Sequence, residues 1–176
     1  MKSWTNLSYA NVATTSPAAH KASMEWSDAL ARGGAAEFDG EAEKNAMMPL
    51  RRAAARLLSC EVADVCVGSS ATELLCSLAW AISPSGGSNI VSTRTAFPST
   101  VYPWSRVAEA NGAKIRLANH DEELYTNPDD ILDLIDEATS VVTLSHVEYS
   151  TGQRYDLRRF ADAAHSVGAL LVVDAS

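Results

Sequence analysis

From residue 60 onward, two kinds of apolar segment alternate along the chain. Short runs rich in β-branched residues predict buried strands at DVCVG (64–68), NIVST (89–93), AKIRLA (113–118), SVVTLS (140–145) and ALLVVD (169–174). Longer segments with apolar residues at helical spacing predict helices over 70–82, 99–112, 127–138 and 156–168. This alternation of continuously apolar strands with helices predicts an α/β fold, with a mostly parallel sheet covered by helices on both faces.

The first 60 residues carry helical patterns only. One helix is expected over 16–34, with Ser16 as its cap and Pro17 in its first turn. A second is expected over 41–58, and Pro49 must either kink it or lie near its start. We therefore divide the chain into an N-terminal segment with helices (1–60) and an α/β part (61–176).

Composition and charge narrow the possible functions. Hydrophobic residues make up 47% of the chain and charged residues 20%, which is typical of a protein with a folded core. The formal net charge of −8 argues against non-specific binding to nucleic acid or to an anionic membrane. The scattered histidines and the absence of a C-x-x-C pair predict no metal site. Three cysteines and no signal peptide favour free thiols in a reducing compartment, so we expect a cytoplasmic protein.

Polar stretches follow three of the predicted strands. They are Gly68 to Thr72, His146 to Gly152, and Asp174. Because parallel strands bring their carboxyl ends to one edge of a sheet, where ligands of such folds bind, these stretches are expected to meet there.

The stretch GSSATE (68–73) has two interpretations. Ser70 and Glu73 match a capping box, in which the serine caps a helix and the glutamate binds the serine amide in return. A helix N-terminus behind a strand is also an anion site, to which the hydroxyls of Ser70 and Thr72 would add donors. The sequence alone leaves both an ordinary capped helix and a phosphate site open. It contains neither the nucleoside-triphosphatase loop nor the dinucleotide-binding glycine pattern.

Asp174, after five mostly apolar residues, also has two interpretations. A partly buried carboxylate needs a cation or a hydrogen-bond donor as its partner. Asp174 is either a structural cap or ion pair, or the partner of a protonated heterocyclic nitrogen on a cofactor.

Four blocks of the sequence, in order, resemble the class V aminotransferases. They are LSYANVATTSP, SSATELL, AFPSTVYPW and SHVEYSTGQRYDLRRFADAAHSVGALLVVDAS, and the similarity runs from about Leu7 to the last residue. This family comprises fold-type-I enzymes that depend on pyridoxal 5′-phosphate, including cysteine desulfurases, kynureninase and isopenicillin N epimerase. The resemblance implies an incomplete fold-type-I large domain, this cofactor and an amino-acid substrate.

The resemblance also implies roles for individual residues. Ala71 and Thr72, beside Ser70, would bind the cofactor phosphate, and Phe97 would stack on the pyridine ring. Asp174 would keep the pyridinium nitrogen protonated, which makes it a catalytic residue together with Phe97. Tyr149 would lie on the loop that approaches the phenolic oxygen of the cofactor.

Two departures from the family matter. Desulfurases usually carry a histidine where Phe97 stands, and phenylalanine cannot transfer a proton, so desulfurase activity is disfavoured. The Schiff-base lysine of the family follows the aspartate block, and Lys2, Lys21, Lys44 and Lys114 do not match its position.

These departures lead to the functional expectation. We expect the chain to be the cofactor-binding subunit of a split enzyme (aminotransferase, epimerase or lyase). This subunit would be inactive alone and would form a hetero-oligomer with a second polypeptide that carries the C-terminal half and the lysine. Two alternatives stay open: an inactive remnant that serves as a binding or scaffolding subunit, and a small domain that binds another phosphorylated ligand.

Overall fold

The structure is a computed structural model, which describes residue 5 and residues 7–176. The chain divides into two compact units, Met1–Val67 and Gly68–Ser176. All of the predicted site residues belong to the second unit. Neither unit contains, within the described residues, a helix that is both long and apolar enough to cross a membrane.

The first unit is helical where it is described. Its three α-helices are α1 (Pro17–Gly33), α2 (Gly40–Asn45) and α3 (Met48–Leu58). Ser16 caps α1 by accepting a hydrogen bond from the amide of Ala19 (3.2 Å), as its position predicts. The single helix expected over 41–58 is wrong, because the segment forms α2 and α3. Pro49 lies in the first turn of α3, and a proline ring clashes with the carbonyl four residues earlier, which is that of the last residue of α2.

The strand expected at residues 64–68 does not form. Val62–Asp64 is a 3₁₀ turn, and the residues that follow it are irregular up to the start of the next helix. The apolar run is real, but a strand exists only where a neighbouring strand supplies hydrogen bonds. In the described part of the chain no strand pairs with these residues.

The second unit contains the sheet. Its helices and strands alternate along the chain as α4 (Ala71–Ile82), β1 (Asn89–Thr93), α5 (Pro98–Asn111), β2 (Lys114–Ala118), α6 (Pro128–Leu132), β3 (Thr139–Ser145), α7 (Leu157–Ser166) and β4 (Leu170–Asp174). The four strands are all parallel and lie in the order β2–β1–β3–β4. The predicted α/β class and parallel sheet are confirmed.

Helices cover both faces of this sheet. On one face, Ile90 and Val141 pack with residues of α4 and α5, including the fully buried Trp104. On the other face, Val91 and Val142 pack with residues of α6 and α7. We call these the α4/α5 face and the α6/α7 face. Alternate residues of each strand are therefore buried on opposite sides, which explains why the strands are apolar throughout.

The strand order places a crevice at the carboxyl edge. The chain moves from β1 outward to β2, and then crosses back past β1 to β3 and β4. The loop that leaves β1 and the loop that leaves β3 therefore run in opposite directions along the sheet. Ligands of open α/β sheets bind at the crevice between two such loops, which is called the topological switch point. The two loops that border this crevice follow β1 and β3, and they carry Phe97 and Tyr149.

The helix expected over 127–138 is shorter than predicted. Asn127 caps α6 as expected, but the helix ends at Leu132. The amide of Asp136 donates to Thr139 Oγ1, and the Asp136 carboxylate accepts from the amide of Ala138. Such local side-chain bonds offer the backbone an alternative to the helix.

Candidate functional site

The loop before α4 is shaped for a close turn and a free helix N-terminus. A side chain at Gly68 would lie 2.8 Å from Leu74 Cδ2, so this position accepts no larger residue without rearrangement. Ser70 caps α4, because its hydroxyl accepts the amide of Glu73 (3.1 Å). The amides of Ala71 and Thr72 begin the helix, where backbone donors have no acceptor within the helix. An anion placed here would meet unpaired donors and the positive end of the dipole.

Half of the predicted capping box is wrong. The Glu73 carboxylate does not return to the amide of Ser70; it accepts the amide (2.7 Å) and the hydroxyl (2.6 Å) of Ser69 instead. The hydrogen bond from the Ser69 hydroxyl is the main reason why the pKa of Glu73 is lowered. The carboxylate is thereby tied to the loop residue before the cap.

Phe97 lies at the surface rather than in the core. Its side chain is 45% exposed, and Pro98 begins α5 directly after it. Phe97 and Thr72 line the same cavity of about 430 Å³, together with Trp80 and Tyr102. An exposed aromatic ring on a stiff loop beside a helix N-terminus is a surface on which a flat ligand can stack.

Tyr149 lies on the loop after β3. A bridge between Val147 and Arg154 closes this loop, and Gly152 makes its turn with φ of 73°, a conformation that favours glycine. The Tyr149 ring is 67% exposed and meets Phe97 edge-on, with ring centroids 5.2 Å apart and planes at 86°. The structure thus brings these two predicted residues into contact.

Asp174 ends β4 at the carboxyl edge, and it is half-buried. Its Oδ2 accepts a hydrogen bond from Thr100 Oγ1 (3.2 Å), and its Oδ1 accepts the amide of Ser176 (3.0 Å). The backbone amide of His146 donates to the Asp174 carbonyl (2.8 Å), which fixes the end of β4 against the loop after β3. No basic side chain pairs with this carboxylate within the described residues. Each carboxylate oxygen has two lone pairs, so Asp174 can accept a further donor.

The predicted residues form two linked groups. Thr72, Phe97 and Tyr149 follow one another along the cavity and the aromatic contact. Asp174 joins them through Thr100, whose amide donates to the Phe97 carbonyl (2.8 Å). Members of the three polar stretches are therefore linked through Phe97 and Thr100, although Gly68–Thr72 does not follow a strand as predicted.

The sequence analysis missed a buried carboxyl group beside this edge. Glu148 is 1% exposed, and its Oε1 accepts a hydrogen bond from Thr93 Oγ1 (3.1 Å), at the end of β1. Its Oε2 has no hydrogen-bond partner within the part of the chain that the structure describes. Burial raises the pKa of Glu148 because it disfavours the charged form, and burial also raises the pKa of the neighbouring Tyr155. An acidic residue one position before Tyr149 was the only signal in the sequence.

Comparisons with known proteins identify the family of this chain and several of its relatives. The family described as aminotransferase class-V matches residues 11–176. A probable cysteine desulfurase of Methanothermobacter thermautotrophicus is 34% identical over 90 residues, which are 51% of this chain and 22% of the relative. The kynureninase of Deinococcus radiodurans is 32% identical over 158 residues, which are 87% of this chain and 36% of the relative.

Solved structures show the same fold. A complex of the cystine C-S lyase C-DES with its product cysteine persulfide has a TM-score of 0.76 at 18% identity, over 91% of this chain and 44% of the lyase chain. The cysteine desulfurase CsdA from Escherichia coli has a TM-score of 0.65 at 22% identity, over 96% of this chain and 38% of its own. A variant of the lyase carries glycine covalently linked to its pyridoxal-phosphate cofactor, with a TM-score of 0.72 at 18% identity, over 88% of this chain and 41% of the variant chain.

The chain spans less than half of the length of each of these proteins. The family and the fold support pyridoxal 5′-phosphate as the cofactor. With an all-parallel sheet of the fold-type-I class, and a family match over 11–176, the chain belongs to the class V aminotransferases.

Proposed function

We propose that Gly68–Ser176 forms the cofactor-holding part of a pyridoxal-phosphate-dependent enzyme that acts on an amino acid. The observation that carries this proposal is the half-buried Asp174 carboxylate, which has no basic partner among the described residues. Thr100 links it to the main-chain carbonyl of Phe97, whose ring is exposed. A helix N-terminus for the phosphate lies along the same cavity as that ring. The donors, the aromatic face and the carboxylate fit the three chemical parts of this cofactor.

The phosphate would be held at the start of α4. The free amides of Ala71 and Thr72 and the exposed Thr72 hydroxyl provide hydrogen bonds, and Ser70 fixes the turn that presents them. Charge-assisted bonds of this kind are roughly twice as strong as neutral ones. The site needs no lysine to bind a dianion.

The ring would be held between aromatic and acidic groups. Phe97 offers an exposed ring for stacking, and Tyr149 packs against it with the two ring planes nearly perpendicular. Asp174 binds a protonated ring nitrogen and disfavours loss of that proton. Pyridoxal phosphate, when bound, supplies an electron sink for negative charge at the substrate Cα.

The Schiff-base lysine would come from polypeptide outside these 176 residues. Lys114 is the only lysine in the second unit, and it begins β2, at the amino end of the sheet and away from Asp174. In the resemblance to the family, the lysine follows the aspartate block. Its source is either a second chain or a longer form of this chain, and a titration with pyridoxal phosphate distinguishes the two.

Phe97 narrows the reaction type. A phenylalanine ring stacks but carries no ionisable proton, so proton transfer at this position is absent. The reactions that this leaves are transamination, epimerisation and elimination, in which the lysine and a substrate-binding group act from the remaining polypeptide. The desulfurase relatives share the fold and the family, and the proposal assigns this chain to an aminotransferase, epimerase or lyase.

The test is a titration with pyridoxal phosphate under three conditions. The 176-residue chain is titrated alone, with a separately expressed polypeptide that carries the lysine, and as a continuous chain with that polypeptide. We expect weak binding alone, and tight binding with turnover of an amino acid in at least one of the other two. The variant Asp174→Ala should lose turnover, while Asp162→Ala, an exposed aspartate on α7, should not. Equal binding and turnover in both variants would refute the proposal.

A further inference from the structure

The α4/α5 face of the sheet changes from apolar to polar toward its carboxyl edge. Ile90 and Val141 occupy the buried positions in the first part of their strands. Two residues further along, the positions on the same face are Ser92 and Thr143, followed by Ser145 and Asp174 at the edge. Ser92 and Thr143 are fully buried, although valine would suit a core position better. A buried hydroxyl requires a hydrogen-bond partner, so these residues point to a specific arrangement.

That arrangement is a chain of three hydrogen bonds that ends on Asp174. Ser92 Oγ donates to the Thr143 carbonyl (2.7 Å), and Thr143 Oγ1 donates to the Thr100 carbonyl (3.2 Å). Thr100 Oγ1 then donates to Asp174 Oδ2 (3.2 Å). The chain of bonds links β1, β3, α5 and β4 in turn. It fixes the first turn of α5 to the sheet at the place where the site lies.

Thr100 is the member that joins two site residues. It is fully buried in the first turn of α5. Its amide donates to the Phe97 carbonyl (2.8 Å), while its hydroxyl donates to the Asp174 carboxylate. The carbonyl of the same residue is held by Thr143. One threonine therefore sets the position of the aromatic residue and the orientation of the carboxylate.

We propose that Thr100 is a positioning residue, which holds the Asp174 carboxylate in a fixed orientation relative to Phe97 through its hydroxyl. This inference rests on the proposed function, because it concerns how a flat ring would meet both residues at once. Without the Thr100 hydroxyl, the Ser176 amide at Oδ1 would be the one donor to the carboxylate left among the described residues. The carboxylate would then rotate about its own bond, and its alignment with the ring nitrogen would be lost.

The hydroxyl and the packing of Thr100 can be separated by two matched pairs of residues. Threonine and valine have nearly the same shape and differ in the hydroxyl, and so do serine and alanine at smaller volume. The variants are Thr100→Val, Thr100→Ser and Thr100→Ala. If Thr100→Val does not fold, the serine and alanine variants still ask the same question. Thr139→Val is the control, because Thr139 is a buried threonine at the amino end of β3 whose hydroxyl donates to Asn89 (2.8 Å).

Three quantities are measured on the chain reconstituted with the lysine-bearing polypeptide. They are the dissociation constant of pyridoxal phosphate, kcat, and the pH at which the absorbance of the bound cofactor changes. A fourth measurement needs no cofactor: the orientation of the Asp174 carboxylate in crystal structures of the unloaded variants.

We expect Thr100→Val and Thr100→Ala to turn the carboxylate and to lower kcat about tenfold, since small misalignments at a reacting centre are costly. The absorbance change should move to lower pH, because the nitrogen holds its proton less firmly. Thr100→Ser should stay close to the wild type in all four measurements. Thr139→Val should lower the melting temperature and leave the other quantities unchanged.

Two results would overturn the inference. An unmoved carboxylate in Thr100→Val would show that the hydroxyl does not orient Asp174. An effect of Thr100→Val no larger than that of Thr139→Val would show that the threonine is only structural. Asp174→Ala, measured alongside, separates the two failures. If it loses turnover and Thr100→Val does not, the inference alone is wrong; if Asp174→Ala is active, the proposed function fails and the inference falls with it.

Discussion

The two ends of the sheet use polar side chains in different ways. At the amino end, Asn89 donates to Asp136 (2.8 Å) and accepts from Thr139 (2.8 Å), and Arg116 pairs with Asp136. Every polar side chain in this group has a partner within the group. At the carboxyl end, Asp174 has no basic partner among the described residues, and the buried Ser145 Oγ and Glu148 Oε2 have no hydrogen-bond partner there either.

This difference distinguishes polar groups that stabilise the fold from polar groups that are available to a ligand. A closed network stabilises the fold and leaves nothing for a ligand. Buried polar atoms without partners are uncommon, and they need a reason such as a ligand or a role in catalysis. In the described part of the chain the third such atom, Trp104 Nε1, lies in the helix layer between the two ends. We infer that substitutions at the carboxyl end change cofactor binding and turnover, and that those at the amino end change stability.

The largest effect is expected from removing a carboxylate at each end. Asp174→Ala should lower turnover by a factor on the order of 10² or more, as does the loss of a single preorganised electrostatic partner. Some cofactor should stay bound, because the α4 N-terminus holds the phosphate separately. Asp136→Ala should instead lower the melting temperature and leave kcat unchanged. Steady-state kinetics and thermal unfolding of both variants measure these effects. A normal kcat in Asp174→Ala together with a lowered kcat in Asp136→Ala would contradict the comparison.

A smaller effect is expected at the phosphate. Thr72→Val should weaken pyridoxal-phosphate binding by roughly 1.5–3 kcal/mol, the usual value of a hydrogen bond to a charged group. The helix should survive, because Ser70 supplies the cap. Isothermal titration measures the affinity, with Thr139→Val at the amino end as the control. Unchanged affinity in Thr72→Val would place the phosphate elsewhere.

A third effect, smaller again, is expected at the stacking ring. Phe97→Leu should weaken cofactor binding about threefold to tenfold and shift the cofactor absorbance, because aromatic stacking adds roughly 0.5–1.5 kcal/mol. The fold should be intact, since the ring is 45% exposed. Phe160→Leu is the matched control in the core of the α6/α7 face, where the ring is 1% exposed, and it should lower stability only. A large loss of stability in Phe97→Leu with an unchanged spectrum would assign Phe97 to the core.

The smallest effects concern the pH dependence of stability, which has opposite signs at the two ends. The hydrogen bond from Asn89 is the main cause of the lowered pKa of Asp136. The contribution of the Asp136 carboxylate to the free energy of unfolding is therefore fully present above its ordinary pKa of 3.8. That contribution is lost as pH falls through the lower pKa of the folded state. Burial raises the pKa of Glu148, so stability is complete below the ordinary value of 4.5 and declines as pH rises through the folded-state pKa.

Two neutral variants test these signs. Asp136→Asn should flatten the loss of stability at acid pH, and Glu148→Gln should flatten the decline that begins above pH 4.5. Free energies of unfolding from urea titrations across pH 3 to 8 provide the measurement. Parallel curves for wild type and Glu148→Gln would show that Glu148 has the same pKa in the folded and unfolded states.

The sequence predicted the fold where the signal is local or repeated. Four of five predicted strands form, because continuous apolar runs between helices have few other solutions. The run at 64–68 failed because strand formation depends on a neighbour, which no local pattern reveals. Pro49 broke the second helix, and the sequence did show that a break was possible there.

The sequence predicted those parts of the site that are indicated by local motifs. Thr72, Phe97, Tyr149 and Asp174 stand in blocks that resemble a family, and the parallel sheet brings the segments of the last three to one edge. Thr100 and Glu148 also lie in these blocks, but the resemblance implies no role for them, and their importance depends on contacts between distant segments. The strands do contain one signal of these contacts, because Ser92 and Thr143 occupy positions that suit valine and buried hydroxyls need hydrogen-bond partners.

The most direct test is a crystal structure with pyridoxal phosphate, determined on the chain combined with the proposed lysine-bearing polypeptide. The account predicts the phosphate at the amides of Ala71 and Thr72, the ring against Phe97, and the ring nitrogen at about 3 Å from the Asp174 carboxylate. Cofactor density at any other place, with Asp174 bonded only to Thr100 and Ser176, would contradict it.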